Sequence, residues 1–386
     1  MASAAAERAQ YADVLRRTRL AAAVFAEQAA ETDRAERVPR AHFELLRDHG
    51  LLGLVIPERY GGLGAGATVV RDFLEILAAA CGTTAFTVMQ HVLGVNQIVG
   101  GENEALREEW LPRYARGERF CGVAYSHVRR PGPPTLRVER QRDALVFRGE
   151  APWFTGWGIM DDVVLAGTLP DGRYLFALVP LHAPGLSASA PLRLAAASAS
   201  STVFLFCDDL RVSLDRHVRT LTPAELAERD QRALLRYTAL PLGVAAAASA
   251  LLRQLNATRD DPAIAELANA IESECAAIRE AADYWEPRFG EPAYLENAYR
   301  LRVWAIEAGM RAAHGAAMAT GGTANLLTNP AQRLVREALL FSLNAQTADL
   351  RRAELRWYAA AARARTAEHG AAGGTAPSPP LGAASI

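Results

Sequence analysis

The side chains that could carry out chemistry already exclude several reaction classes for this chain of 386 residues. Its 42 lysine-or-arginine positions are all arginine, so no lysine can form a Schiff base or complete a phosphate-binding P-loop. Imine chemistry is therefore excluded, and the sequence argues against Walker-type nucleotide hydrolysis. The spacing of the four cysteines indicates neither a zinc site nor a disulfide framework: Cys81, Cys121, Cys207 and Cys275.

Charge and hydropathy restrict the partners. The 42 basic and 43 acidic residues leave a net charge of −1 at pH 7, which does not favour nucleic-acid binding. The first residues lack a basic region followed by an apolar run, and no stretch reaches the roughly 18 apolar residues that a membrane span needs. We therefore expect a cytoplasmic protein without nucleic-acid or membrane partners.

The elements that must position a site begin with a helical section, residues 1–119. Apolar residues recur there at helical spacing, and Gly50 is expected to end one helix in a left-handed conformation. The pattern predicts helices over residues 12–30, 40–49, 69–80, 83–99 and 104–115.

Residues 120–220 predict a β domain. Short β-branched and aromatic runs alternate there with turn residues, and Asp171-Gly172 is typical of a hairpin. Residues 221–368 predict a bundle of helices, in which Asn329 caps a helix that begins at Pro330. Residues 369–386, rich in Gly, Pro, Ala and Ser, predict a disordered tail.

Several local motifs occur in one characteristic order: Tyr60-Gly61-Gly62-Leu63-Gly64, Trp153-Phe154-Thr155-Gly156, Phe206 to Val212, Gly321-Gly322, and Arg336-Glu337-Ala338 after Pro330. In this order the chain resembles the acyl-CoA dehydrogenase superfamily of flavoproteins. The resemblance implies an α+β fold, with an N-terminal helical domain, a central β-barrel or sandwich domain and a C-terminal four-helix bundle. It also implies a homodimer or homotetramer.

The same resemblance implies bound FAD, with FMN left open as the alternative. Residues at the flavin ring would be Tyr125, Ser126, Trp153, Phe154 and Thr155. One residue separates Trp153 from Thr155, so both are expected to face the same side of a strand. In the family, the segment equivalent to Gly321-Gly322 approaches the cofactor's diphosphate across a subunit boundary, and Thr347 would also be near the cofactor.

The chain departs from the family at the catalytic base. Most members carry Glu-Gly-Thr where this chain has Ala345-Gln346-Thr347, and alanine cannot accept a proton. Other members place the base where Ala233 stands. The family's Arg-x-x-Phe-Gly motif for the diphosphate is also missing, and Arg253-Gln254-Leu255-Asn256 occupies that place.

These departures favour an oxygenase-type tailoring enzyme, since flavin monooxygenases of the superfamily need no such glutamate. His91 and Asn344 are then the catalytic candidates, although His91 can also be read as a hydrogen-bonded core histidine. One alternative is an acyl-thioester dehydrogenase whose base is relocated to a carboxylate such as Glu337 or Asp349. Another is a non-catalytic subunit of the same fold. The substrate would be a small molecule or an acyl thioester.

Overall fold

The computed structural model describes residues 3–35 and 37–372. The described residues up to Ala345 form one compact unit, and those from Gln346 to Ala372 form a second. The predicted tail, 369–386, lies outside the described residues from position 373 onwards. Its first four residues belong to the last helix, α12, because the alanine-rich sequence before them continues in helical conformation to Ala372.

The first section consists of helices, as predicted. It contains α1 (Ala4–Gln10), α2 (Ala12–Arg34), α3 (Arg40–Asp48), α4 (Ala67–Ala80), α5 (Gly82–Val99) and α6 (Glu104–Ala115). Gly50 follows α3 with a φ of 65°, so the expected left-handed end of that helix is confirmed.

The central section is a mixed eight-stranded sheet. Its strands are β1 (Cys121–Ala124), β2 (Leu136–Arg140), β3 (Ala144–Phe154), β4 (Asp162–Thr168), β5 (Tyr174–Pro180), β6 (Leu186–Ala188), β7 (Val203–Ser213) and β8 (His217–Leu221). The strand order is β6-β7-β3-β2-β4-β5-β8, and β1 pairs in parallel with β4. Gly172, with a φ of 84°, lies in the turn between the antiparallel strands β4 and β5, which confirms the predicted hairpin.

The last section is helical again, which confirms the α+β class. It contains α7 (Pro223–Arg232), α8 (Ala239–Arg259), α9 (Pro262–Trp285), α10 (Tyr294–Thr320), α11 (Pro330–Leu343) and α12 (Ala348–Ala372). Asn329 caps α11 as predicted, because its side chain accepts a hydrogen bond from the Ala331 N–H at 2.9 Å.

The segment Leu235–Arg259 is long and apolar enough to cross a membrane by length and composition, contrary to the expectation that no stretch would be. Two thirds of its most apolar window is buried within the fold. It therefore packs as a core helix of the bundle.

Helix α5 lies inside the first unit, with 15 of its 18 residues buried. No side chain of its own caps its first turn, and Glu337 of α11 takes that place. The Glu337 carboxylate, 1 % exposed, accepts from the Gly82 N–H and from Arg333 at 3.0 and 3.1 Å. A side chain at position 82 would collide with this carboxylate, since a Cβ there would lie 2.6 Å from its carboxyl carbon.

The opposite end of α5 meets a buried cation. Arg219 of β8, 1 % exposed, donates to the Gln97 carbonyl in the last turn of the helix. Burial lowers the pKa of Arg219 to about 10. A carboxylate at the N-terminus and a guanidinium at the C-terminus both oppose the helix dipole.

Three buried histidines connect separate elements. His42 of α3 bonds Thr84 at 2.9 Å and Gln28 at 2.8 Å. His91 of α5 donates from Nε2 to the Leu52 carbonyl at 3.2 Å and accepts from the Cys121 N–H at Nδ1, at 3.1 Å. His127 bonds the Ala166 carbonyl at 2.9 Å. Burial lowers the pKa of each to about 4, so all three are neutral in the fold.

Because of these histidines, we expect the free energy of unfolding to decrease as the pH is lowered. An unfolded histidine takes up a proton near pH 6.5, whereas the folded one stays neutral down to about pH 4. Stability is therefore complete above pH 6.5 and is lost as the pH falls through this window. We expect each fully buried histidine to contribute about 2 kcal/mol to the loss between pH 7 and pH 5, measured by urea unfolding.

The variant His42→Gln should weaken this pH dependence by about that 2 kcal/mol. The control is His314→Gln, because His314 is exposed on α10 and its removal should leave the pH dependence unchanged. An equal pH dependence in wild type and His42→Gln would contradict the assignment of neutral, buried imidazole.

Candidate functional site

Trp153 turns outward at the end of β3. Its φ is 66°, unusual for a bulky residue, and the pairing with β7 shifts register between Ala151 and Phe154. The indole is 46 % exposed, and its ring stands edge-on to Phe204 with centroids 6.5 Å apart. A large exposed aromatic in a strained conformation is typical of a binding surface.

The expectation that Trp153 and Thr155 face the same side is wrong. Thr155 is 3 % exposed and its hydroxyl bonds Thr202 at 2.8 Å, while Thr202 bonds Ser200 at 2.8 Å. The register shift and the positive φ at Trp153 break the alternation of the strand. The Thr155 hydroxyl therefore belongs to a buried hydroxyl cluster.

Phe154 is fully buried in the core rather than exposed at a ring site. Its ring packs against Gly122 of β1, where a Cβ would lie 2.7 Å from the ring. Phe154 therefore sets the distance between β1 and β3, and only through this packing does it support Trp153.

Ser126 and Trp153 are brought together. Ser126 is exposed just after β1, and its hydroxyl lies 3.5 Å from the Pro152 carbonyl, next to Trp153 in the chain. Tyr125 beside it is 7 % exposed, and its hydroxyl accepts from Gln97 at 3.2 Å. An open indole face next to an exposed hydroxyl fits one edge of a flavin ring, with Tyr125 as support from behind.

An ion pair joins the segment that carries Ser126 to the helical section that follows the sheet. Arg129 donates to both carboxylate oxygens of Asp230 on α7, each at 2.6 Å, and also to the Tyr125 carbonyl at 3.3 Å. Its guanidinium carbon lies 4.9 Å from the centre of the Tyr125 ring. The pair holds the segment that carries Ser126 in a defined position.

Gly321 and Gly322 form an open corner after α10. A Cβ at either position would have no heavy atom within 4 Å, and Gly321 has a φ of 83°. Thr347 lies in the second unit, where its hydroxyl accepts from the Leu350 N–H at 3.2 Å and so caps α12. The described contacts of Thr347 are therefore those of a helix cap.

His91 does not present a ring nitrogen to a cavity. It is fully buried, one nitrogen donates to Leu52 and the other accepts from Cys121, so both are in use. This geometry gives His91 the role of a bridge between α5, the turn at Leu52 and strand β1. His91 is therefore a hydrogen-bonded core histidine, which was the alternative interpretation of this residue.

Asn344 is held by an arginine that the sequence patterns did not single out. Arg302 of α10, 1 % exposed, donates to the carbonyls of Tyr237, Phe341 and Asn344. The side-chain oxygen of Asn344 is buried and has no partner among residues 3–35 and 37–372. Burial raises the pKa of Tyr237 to about 12, so this phenol stays protonated. An arginine inside an otherwise apolar helix face was the signal that could have found this cluster.

The carboxylates considered as relocated bases are both occupied. Glu337 is buried between Arg333 and the start of α5, and burial raises its pKa. Asp349 is exposed in the second unit and pairs with Arg352. Ala345, which the sequence comparison by motif placed at the position of the base, adopts a φ of 52° after α11.

Two open grooves share no residue with this site. One, of about 570 Å³, lies at the β4–β5 turn and includes Arg140 and His217. The other, of about 460 Å³, lies between α8 and α9 and includes Arg253 and Cys275. The surface around Trp153 is a separate, exposed face of this chain.

The sequence of this chain is similar to those of known proteins. Residues 7–118 match the model of the acyl-CoA dehydrogenase N-terminal domain. The 3-sulfinopropanoyl-CoA desulfinase of Paraburkholderia xenovorans is 25 % identical over 383 residues, covering 87 % of this chain and 92 % of that one. The enzyme of the same name from Variovorax paradoxus is 31 % identical over 163 residues, about two fifths of each chain.

Solved structures are similar over most of both chains. Butyryl-CoA dehydrogenase from Megasphaera elsdenii has a TM-score of 0.77 at 18 % identity, covering 88 % of this chain and 96 % of that one. Dibenzothiophene monooxygenase from Paenibacillus has a TM-score of 0.73 at 18 % identity, covering 89 % and 96 %. Residues 7–118 therefore belong to the acyl-CoA dehydrogenase N-terminal domain family, and the chain has the acyl-CoA dehydrogenase fold, which confirms the resemblance inferred from its motifs.

Proposed function

We propose that the chain binds FAD and is a flavin-dependent oxidoreductase of oxygenase type, one that does not remove a substrate α-proton with a carboxylate. The observation that carries this proposal is that none of the positions considered for a catalytic base holds a free carboxylate. Ala345 and Ala233 have no proton acceptor, and Glu337 and Asp349 are held in ion pairs. A dehydrogenase needs a carboxylate that is free to approach the substrate.

In this proposal the chain's own residues bind and orient the cofactor and substrate. Trp153 covers one face of the flavin ring, Ser126 donates a hydrogen bond at its edge, and the Arg129–Asp230 pair keeps the Ser126 loop in place. A bound flavin supplies two-electron transfer and, when reduced, reaction with dioxygen. We place a polar contact for the substrate at Asn344, whose buried side-chain oxygen has no partner in the described part of the chain. The assembly we propose is a homodimer or homotetramer in the cytoplasm.

The curated relatives favour a second candidate, the removal of sulfinate from an acyl-CoA thioester. Four of them are 3-sulfinopropanoyl-CoA desulfinases, and one of these aligns with 87 % of this chain. Such a reaction exchanges the carbon–sulfur bond for a carbon–hydrogen bond and releases sulfite with the addition of water. It breaks a different bond from α,β-dehydrogenation, and the absence of a base at Ala345 is compatible with it.

The proposal makes a prediction about flavin binding by Trp153. The variant Trp153→Ala should bind FAD about tenfold more weakly, because stacking of a heteroaromatic ring on an indole is worth about 1–3 kcal/mol. Quenching of FAD fluorescence on titration with protein measures the affinity.

The matched control is Phe206→Ala, which removes another exposed aromatic of the same sheet, on β7. Its FAD affinity should equal that of wild type. Equal FAD affinities for wild type and Trp153→Ala would contradict the placement of the ring on this indole.

The second prediction concerns the reaction itself. Under anaerobic conditions butanoyl-CoA should not bleach the visible flavin band of the loaded protein, and no enoyl product should form, because no free carboxylate takes the α-proton. Stopped-flow absorbance and mass spectrometry of the thioesters measure the two outcomes.

Bleaching with enoyl release would contradict the proposal and favour a relocated base. The variants Glu337→Gln and Asp349→Asn would then identify which carboxylate acts. Incubation with 3-sulfinopropanoyl-CoA separates the second candidate, since only a desulfinase releases sulfite at catalytic turnover. A wild-type protein that binds no flavin in either redox state would favour the non-catalytic alternative.

A further inference from the structure

Helix α1 is attached to the rest of the fold by polar side chains. None of its seven residues is buried, and most of its alanines are exposed. The side chains that bond to neighbouring elements are those of Glu7 and Arg8, together with Tyr11 directly after the helix. A short helix with no buried apolar side chain gains little from hydrophobic burial. Its position therefore depends on charge and hydrogen bonds.

The guanidinium of Arg8 lies between two carboxylates. Its Nε and Nη2 donate to Asp72 of α4 at 2.6 and 3.1 Å, and its Nη1 and Nη2 donate to Asp283 of α9 at 2.6 and 3.2 Å. Both edges of the planar group are thus engaged. Because the Arg8 side chain is 32 % exposed, dissolved salt can screen these ion pairs.

The contact between α4 and α9 does not need Arg8. Arg71 of α4, which is 1 % exposed, donates to Asp283 and, at 3.1 Å, to Glu286. This buried arginine joins the two helices by itself and is shielded from solvent ions. Loss of the Arg8 contacts therefore detaches α1 while α4 and α9 stay together.

Glu7 completes the beginning of α4. That helix follows Gly66, and no side chain of its own caps it. The Glu7 carboxylate accepts from the Val69 N–H at 3.3 Å, and a Cβ at Gly66 would lie 2.6 Å from the same oxygen. A carboxylate at this end of a helix opposes the helix dipole. When α1 leaves, the first turn of α4 loses its cap.

Tyr11 is the single residue between α1 and α2. Its φ of −102° and ψ of 20° bend the chain, and its hydroxyl donates to the Leu63 carbonyl at 2.9 Å. Helical hydrogen bonding continues on both sides, from the Tyr11 N–H to Glu7 and from the Leu15 N–H to Tyr11. A change of backbone angles at this one residue is enough to turn α1 away from α4 as an extension of α2.

We propose that α1 is an electrostatic strap, closed by Arg8, which opens about Tyr11 as the ionic strength rises. Opening bares Asp72 and the first amides of α4, while Arg71 keeps α4 joined to α9. The fold thus contains a segment whose position responds to salt while the buried core stays closed. This inference concerns a different part of the molecule from the proposed flavin surface and does not rest on it.

The experiment is hydrogen–deuterium exchange of the full-length protein, read by mass spectrometry in about 0.05 M and about 1 M NaCl. In wild type the amides of α1 and of the first turn of α4 should exchange about tenfold faster at high salt, because screening weakens the Arg8 pairs. Amides of the buried helix α5 should not change. Arg8→Gln should exchange fast at both salt concentrations. Arg8→Lys should lie between the two, since an ammonium group keeps the charge without the two forks.

The matched control is Arg16→Gln, which removes an exposed arginine paired with Asp13 on α2 and should exchange as wild type does. Circular dichroism melting of each variant shows whether the fold is retained. Equal exchange of α1 at both salt concentrations in wild type would overturn the inference. So would an Arg8→Gln variant whose α1 exchanges no faster than wild type at low salt. Neither result bears on flavin binding, which the fluorescence titration tests separately.

Discussion

The buried helix α5 is the element on which the site depends, because charged side chains from distant elements neutralise both of its ends. Glu337 of the bundle lies at its N-terminus, and Arg219 of the sheet lies at its C-terminus. Partly buried contacts of this kind contribute up to about 2 kcal/mol each. Between them, His91 accepts a hydrogen bond from the first residue of β1, the strand that leads directly to Tyr125 and Ser126. The helix thus positions, from inside the first unit, the strand that leads to Ser126.

This chain has no lysine, so arginine provides its permanently charged basic side chains. Most of these guanidinium groups donate hydrogen bonds to main-chain carbonyls or to carboxylates. Arg302 donates to the carbonyls of Phe341 and Asn344 at the end of α11 and to that of Tyr237 before α8. Arg129 joins the segment that carries Ser126 to α7, and Arg333 binds Glu337. A planar, always charged group with five donors suits such contacts better than an ammonium group. The same residue type that excludes imine chemistry therefore orders the segments around the site. Carboxylates that could have acted as bases are used as its partners.

Local patterns predicted the elements well, since Gly50, Asp171-Gly172 and Asn329-Pro330 act within a few residues of themselves. The motif order also predicted the fold. The prediction that Trp153 and Thr155 face the same side of β3 was wrong. A register shift against β7 depends on the pairing of two strands, and the sequence of one strand does not show it. The partners of His91 and Glu337 were beyond prediction for a similar reason. Leu52 and Cys121 are 39 and 30 residues from His91, and Gly82 is far from Glu337 in the chain.

We propose that this fold holds a flavin with no carboxylate in reach of a substrate α-carbon. The most direct measurement is an experimental structure of the FAD-loaded protein with a non-reactive acyl thioester bound. It should show the flavin ring against Trp153 and Ser126, with Glu337 still on Arg333 and no carboxylate oxygen within the about 3.5 Å that proton removal requires. An Asp or Glu oxygen at that distance from the α-carbon, opposite the flavin, would contradict the account.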